Sequence, residues 1–182
     1  MKKRFLFIAL RACLASFGQI KDEITLENGS KFLLGQITQE DLKKEPYLNW
    51  YQDNYSKYQI NNESVDSFAE ALKQHNVLLF MGTWCGDSKR EVPKMVKILN
   101  EADFPKEQLK IVAVDRRKEF YKKSPNGEEW GLDIRRVPTL IFLKNGKEVN
   151  RIVESPISSL EEDFSSILNG DQYTPNYSMV NK

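Results

Sequence analysis

Val77-Leu78-Leu79-Phe80-Met81-Gly82-Thr83-Trp84-Cys85-Gly86-Asp87-Ser88-Lys89-Arg90-Glu91-Val92-Pro93-Lys94-Met95 is the stretch on which the reading of this chain turns. Its first five residues form a short continuous apolar run, the pattern of a strand buried on both faces. Gly82 interrupts the run, and from Gly86 the period changes. Val92, Met95, Val96 and Leu99 fall on one face of a helix over 86–101. Cys85 therefore stands directly after a buried strand and directly before a helix. A helix start presents unpaired backbone N–H groups and the positive end of the helix dipole. Both favour an ionised thiol, and the thiolate is the nucleophile of sulfur chemistry. Free cysteines commonly serve as small buried hydrophobes. The strand end, the helix start and the flanking Trp84 point instead to a functional thiol.

About fifty residues further on, Asp133-Ile134-Arg135-Arg136-Val137-Pro138-Thr139-Leu140 leads into an apolar strand, followed by the turn Lys144-Asn145-Gly146-Lys147. Taken together and in this order, the two stretches resemble the thioredoxin-like superfamily. There a Trp-Cys-Gly-Pro-Cys turn joins strand to helix, and a Gly-Ile-Arg-x-Ile-Pro-Thr-Leu segment lies opposite. Pro93 stands where thioredoxins carry a helix-kinking proline, and the kink follows from the lost hydrogen bond and the ring's clash with the preceding turn. The resemblance implies that Cys85 is the attacking thiol and that Pro138, in the cis form, faces it. A small cis penalty before proline makes that feasible. It also implies that the Val137 backbone pairs with an extended substrate peptide, and that Trp84, Gly86 and Asp87 border the substrate.

Three positions depart from the family pattern. Ser88 replaces the second, resolving cysteine, giving a Cys-Gly-Asp-Ser turn of the CxxS type. Disulfide exchange passes through a mixed disulfide, and a serine hydroxyl is no practical nucleophile towards sulfur. An outside thiol must then release Cys85. The Ser88 hydroxyl has a second possible role, donating a hydrogen bond to the Cys85 thiolate. Asp87 replaces the turn proline; its charge disfavours a thiolate, while Lys89 and Arg90 favour one. Leu79 occupies the position where thioredoxins bury a proton-accepting carboxylic acid.

Outward from this centre, the chain alternates helix and strand. Val65, Phe68, Ala69 and Leu72 recur at helical spacing; Ile111 to Val114 read as another buried strand. Residues 116–131 are charged, contain Ser124-Pro125-Asn126-Gly127 and read as a loop with one helical turn. Thr139 to Leu143 form a strand, Glu148 to Val153 return antiparallel, and Leu160, Phe164, Ile167 and Leu168 mark a last helix, started by a capping box in Ser158 to Glu162. The predicted fold is α/β: a thioredoxin-like three-layer domain over 63–169, with a mixed central sheet and helices on both faces. Residues 19–62 are an N-terminal extension and 170–182 an irregular tail. In the extension, Asn28-Gly29 between two apolar runs signals a hairpin, and Thr38 precedes a helix start. Tyr51, Tyr55 and Tyr58 share one helical face, either packing the extension onto the domain or roofing the Cys85 site.

The first eighteen residues read as a signal peptide. Lys2-Lys3-Arg4 precede an apolar stretch broken once by Arg11, and Ser16 and Gly18 are the small residues of a cleavage site before Gln19. Leu10-Arg11-Ala12-Cys13 also resembles a lipobox, which would make the protein a lipoprotein held to the membrane through Cys13. The expected location is periplasmic or otherwise extracytoplasmic. Cleavage after Gly18 removes four basic residues and no acid, moving the net charge of the 182-residue chain from +1 to −3. That balance does not suggest a nucleic-acid partner. One cysteine then remains, which excludes an internal disulfide framework. His75 has no Cys or His company, so no metal is expected; no phosphate loop or dinucleotide fingerprint is present, so no cofactor is called for. The charged run Arg116-Arg117-Lys118-Glu119, with Lys122 and Lys123, reads as a solvated loop face, the alternative being a dock for an acidic partner.

The sequence thus supports thiol–disulfide exchange through the single thiol of Cys85, in an isomerase- or reductase-like manner, with protein thiols or disulfides and small thiols as partners. The alternative is a non-catalytic module that binds a peptide or protein across the Pro138 groove.

Overall fold

The computed structural model describes residues 21–178. Residues 1–18, read above as a signal peptide, with the expected cleavage site and the lipobox-like stretch at Cys13, lie outside the described residues.

Strands β1 (Lys21–Thr25) and β2 (Lys31–Ile37) pair antiparallel. Their link turns at Gly29, whose φ of 77° is open to glycine without a Cβ penalty. Asn28 Oδ1 closes the turn by accepting from the Ser30 N–H and hydroxyl. Three helices follow: α1 (Gln39–Leu42), α2 (Leu48–Lys57) and α3 (Asn62–Leu72). Thr38 caps α1, its N–H and hydroxyl both donating to Asp41 at 2.9 Å. Strand β3 (Asn76–Met81) leads into α4 (Gly86–Glu101), which carries Pro93 in its interior. Next come β4 (Leu109–Ala113), β5 (Thr139–Lys144), β6 (Lys147–Val153) and α5 (Leu160–Asn169). At the start of α5, Ser159 accepts from the Glu162 N–H, whereas Glu161 turns away to Tyr58 and Asn61.

One six-stranded mixed sheet results, in the order β1-β2-β4-β3-β5-β6. β3 and β4 are parallel, with Leu79 opposite Ile111; every other pairing is antiparallel. This is the expected mixed α/β fold. Residues 21–37 are nevertheless not an appendage: β2 adds directly to β4, Gly35 facing Ala113.

The side chains of β3 alternate between two cores, as the period of two requires. Val77, Leu79 and Met81 face the larger cluster, filled by Tyr51 of α2, Val65 and Phe68 of α3, Val92 and Met95 of α4, and Phe164 of α5. Phe80, with Val112, Val114 and Ile141, faces the second cluster, packed by Trp84, Cys85, Leu132, Ile134 and Val137. Helices were expected on both faces. The second face is instead covered by turn and loop residues, because 116–138 is too rich in charge, Pro and Gly to offer an amphipathic helix. Only one 3-10 turn, Lys118–Phe120, forms there.

The tyrosine stripe packs α2 onto α4. Tyr51 is 1% exposed, Lys94 and Lys97 lie over the Tyr58 and Tyr55 rings, and Lys97 Nζ donates to the Tyr58 carbonyl. Since these residues join the larger cluster and Cys85 joins the other, they do not roof the thiol.

The chain after α5 is irregular but tied down along β6. Asn150 donates to the Tyr173 carbonyl, Asn176 to the Ser155 carbonyl, and the Tyr173 hydroxyl to the buried Asp163. No helix among the described residues is long and apolar enough to cross a membrane.

Candidate active site

The parallel pairing of β3 with β4 delivers the end of β3 to one rim of the sheet, where the Val114 N–H donates to the Met81 carbonyl. The chain then turns sharply, the Cys85 N–H donating to the Gly82 carbonyl at 2.9 Å. Cys85 is the N-cap of α4, and its carbonyl accepts the first helical hydrogen bond, from Lys89. The N–H groups ahead of Lys89 have no intrahelical carbonyl and converge on the cap. Cys85 is the free cysteine of the described residues and is half-buried.

Its thiol donates to the Val137 carbonyl at 3.2 Å. The Val137–Pro138 peptide is cis. Hydrogen bonds pin this turn on both sides of Val137. Thr139 Oγ1 donates to the Arg136 carbonyl at 2.7 Å, and the Glu154 N–H to the Pro138 carbonyl at 2.7 Å. The Val137 N–H makes no hydrogen bond among the described residues. Cys85 and the Val137–Pro138 backbone are thus brought together from positions 52 residues apart.

Trp84 walls one side. Its indole N–H donates to the Val114 carbonyl at 2.9 Å, and its ring meets Tyr121 with 5.4 Å between centroids. Gly82 makes this placement possible: a Cβ there would lie 2.7 Å from the Trp84 indole. Gly86 differs, since a Cβ on it would meet nothing within 4 Å.

Ser88 is fully buried, and its hydroxyl accepts from the Gly82 N–H at 3.2 Å. It locks the turn, and the bond made by the Cys85 thiol goes to Val137 rather than to Ser88. Asp87 is half-buried and paired with Arg90 at 2.7 Å; Arg90 also reaches the buried Glu91. The bond to Glu91, and then that to Asp87, hold the guanidinium above its usual pKa. The Asp87 charge is therefore largely answered within its own helical turn. Leu79 is fully buried in the larger cluster and supplies no proton acceptor.

Two further residues complete the site, and the sequence places neither of them beside the thiol. Tyr121 and Lys122 come from the loop after β4, which lies beside the thiol because Asp115 clasps it. Asp115 is 1% exposed and accepts a fork of bonds from Arg117; its backbone exchanges bonds with Lys122 and Lys123. A basic run in the sequence gives no hint of that clasp. No group of three or more His, Cys, Asp or Glu side chains among the described residues could hold a metal. His75 is buried with its ring bonded to the Ala71 carbonyl.

A family model described as "Thioredoxin" matches residues 36–162. Thioredoxin H9 of Arabidopsis thaliana is 27% identical over 112 residues, covering 60% of this chain and 73% of that protein. Thioredoxin H4-1 of Oryza sativa subsp. japonica is 28% identical over 110 residues, 59% of this chain and 76% of its own. Thioredoxin-1 of Saccharomyces cerevisiae is 24% identical over 106 residues, 57% of this chain and 93% of its own. No solved structure matches significantly.

Proposed function

We propose, from the premise that this chain belongs to the thioredoxin family, that it performs thiol–disulfide exchange through the one thiol of Cys85. The observation that carries the reading is Cys85 at the start of α4, half-exposed and bonded to the Val137 backbone, with a buried serine where a resolving thiol would stand. The Cys85 thiolate attacks a disulfide. A new Sγ–S bond forms, the old S–S bond breaks, and the departing sulfur leaves as a thiolate that takes a proton from water. Cys85 is oxidised to the mixed disulfide and the leaving half is reduced. A second thiol, from the substrate or from outside, then attacks and frees Cys85.

The Cys85–Val137 bond gives this step a built-in order. As a thiol, Cys85 donates to the Val137 carbonyl and occupies it. As a thiolate it has no hydrogen to donate, so the Val137 carbonyl and N–H are both open to an extended substrate segment, as in strand addition. Trp84 then shields one side of the new disulfide, and Pro138 closes the other.

The relatives are named thioredoxins, which supports protein disulfides as the substrate class. We further propose that residues 1–18 direct export and that the mature chain begins at Gln19 in an extracytoplasmic compartment. Mass spectrometry of the mature N-terminus tests this. A start at Gln19 supports it, a lipid-modified Cys13 redirects it to a membrane anchor, and an intact Met1 overturns it.

Trapping tests the chemistry. Thiols are quenched with acid in cells making the full chain, and adducts on Cys85 are identified without reduction, with Cys85→Ala as control. Mixed disulfides should accumulate and vanish in the control. A Cys85 thiol that stays free under oxidising conditions would overturn the reading in favour of a non-catalytic binding module.

A further inference from the structure

Lys122 is placed by its loop with unusual definition for a surface lysine. Its φ of 61° lies in the left-handed region, which few non-glycine residues adopt. The conformation is fixed because its N–H donates to the Asp115 carbonyl at 2.9 Å and the next N–H, of Lys123, donates back to Phe120 at 2.8 Å. The side chain lies across the ring of Tyr121, 4.9 Å from its centroid, and Tyr121 in turn packs on Trp84. The ammonium donates to the carbonyl of Arg135, two residues before the Val137 backbone. It thus bridges the two segments that flank the thiol.

This cation has no carboxylate at ion-pair distance among the described residues. The acids nearby are engaged elsewhere: Glu154 with Arg136 and the Tyr177 hydroxyl, Asp87 with Arg90. Burial, and then the neighbouring Arg136, push the Lys122 pKa down, while the Cys85 and Glu154 charges push it up. The ammonium is therefore partly screened from water and interacts electrostatically with the Cys85 sulfur. With Arg135 paired to Asp133 and Arg136 to Glu154, Lys122 is the cation on this side of the groove with no carboxylate at ion-pair distance among the described residues.

We propose that Lys122 makes the Cys85 groove select disulfides that carry a carboxylate close to the reacting sulfur. The inference rests on the reading of Cys85 as nucleophile. A chain laid along Val137 brings the atoms next to its own sulfur within reach of the Lys122 ammonium, and a carboxylate there supplies the missing counter-charge. The exchange is otherwise unchanged: the Cys85–S bond forms, the substrate S–S bond breaks, and the leaving thiolate is protonated by solvent.

Three small disulfides test this on the mature chain: doubly anionic 5,5′-dithiobis(2-nitrobenzoate), neutral 4,4′-dithiodipyridine and cationic cystamine. Second-order rates at Cys85 are divided by those for 2-mercaptoethanol, a thiol with no charge of its own, to remove each reagent's own reactivity. Wild type should favour the anionic reagent, and the preference should shrink as salt rises. Lys122→Gln should lower the anionic-to-neutral ratio about fivefold, and Lys122→Arg should retain it. An unchanged ratio in Lys122→Gln overturns the proposal. So does an equal fall with all three reagents, which would place Lys122 in support of the thiolate or of the fold. If no reagent modifies Cys85 in wild type, the nucleophile reading fails first, and this result is distinct from reaction with all three reagents without charge preference.

Discussion

Replacing Gly82 by alanine tests how Trp84 is held beside the thiol. The added Cβ would stand 2.7 Å from Trp84 Cε2 and 2.9 Å from Nε1. Real Cβ atoms do not approach that closely, so the indole must swing away. Moving it breaks the bond from Nε1 to the Val114 carbonyl, leaving a buried acceptor at a cost of about 1–3 kcal/mol. Overpacking adds about 1–3 kcal/mol. Part of each is recovered as the indole finds water, so the expected loss is about 3 kcal/mol, within the margin of a domain stable by about 5–15 kcal/mol. Urea unfolding measures the loss. Trp84 emission, read in a background with Trp50→Phe and Trp130→Phe, reports whether the indole has moved. A double-mutant cycle isolates the cause: in a Trp84→Ala background, Gly82→Ala should cost less than about 0.5 kcal/mol, giving a coupling close to the full effect. A single-variant loss below about 0.5 kcal/mol with unchanged emission, or a full loss that persists without Trp84, would refute the close-approach argument.

Three other outcomes follow from the geometry. Ser88→Cys places a thiol one helical turn from Cys85, and trapped mixed disulfides should fall at least about tenfold as the pair closes on itself; undiminished trapping in non-reducing gels would show that the buried position 88 cannot reach the sulfur. Burial raises the Asp41 pKa, but bonds from Lys21 and Thr38 outweigh it and hold the group at about 2. Its folded pKa is below its unfolded one, so the stability it contributes is complete above about pH 4 and is lost as pH falls through about 2. Asp41→Asn should flatten acid unfolding in that window, and an unaltered profile would count against the pairing. Phe164→Ala removes the ring that meets Phe142 at 5.0 Å and Phe68 at 5.7 Å and should cost about 3–5 kcal/mol in denaturant unfolding; a loss under about 1 kcal/mol would mean the larger core closes over the gap.

The parts of the fold that were legible in the sequence are those fixed by near neighbours. The apolar run at Val77, the period change at Gly86 and the Asn28-Gly29 turn each specify their own element, and Cys85 lies where strand and helix must meet. What the sequence hid depends on partners far along the chain. Nothing in residues 31–37 says that β2 lies against β4. The tyrosines of α2 have the same spacing whether they face α4 or the thiol, and only packing decides. Lys122 stands in a charged run, but its place beside the thiol, with that of Tyr121, was hidden for a sharper reason: their loop is held by the buried Asp115–Arg117 fork, and a two-residue clasp leaves no periodic trace. On the second face composition was legible, since 116–131 reads as a loop with one helical turn and a single turn forms at Lys118–Phe120; what stayed hidden is that this loop covers the sheet in place of a helix.

The tail laid along β6 has a consequence beyond its own hydrogen bonds. On the mixed-disulfide reading proposed above, Cys85 would hold substrate chains at high local concentration beside this sheet. An open outer strand there would be a template for those chains to extend, the first step towards aggregation. At one end of the sheet, β1 is exposed but short and charged, with Lys21, Asp22 and Glu23 in succession. At the other, the Asn150–Tyr173 and Asn176–Ser155 bonds lay the tail beside β6. These bonds set the polar tail against that edge of the sheet, where it hinders strand addition by other chains.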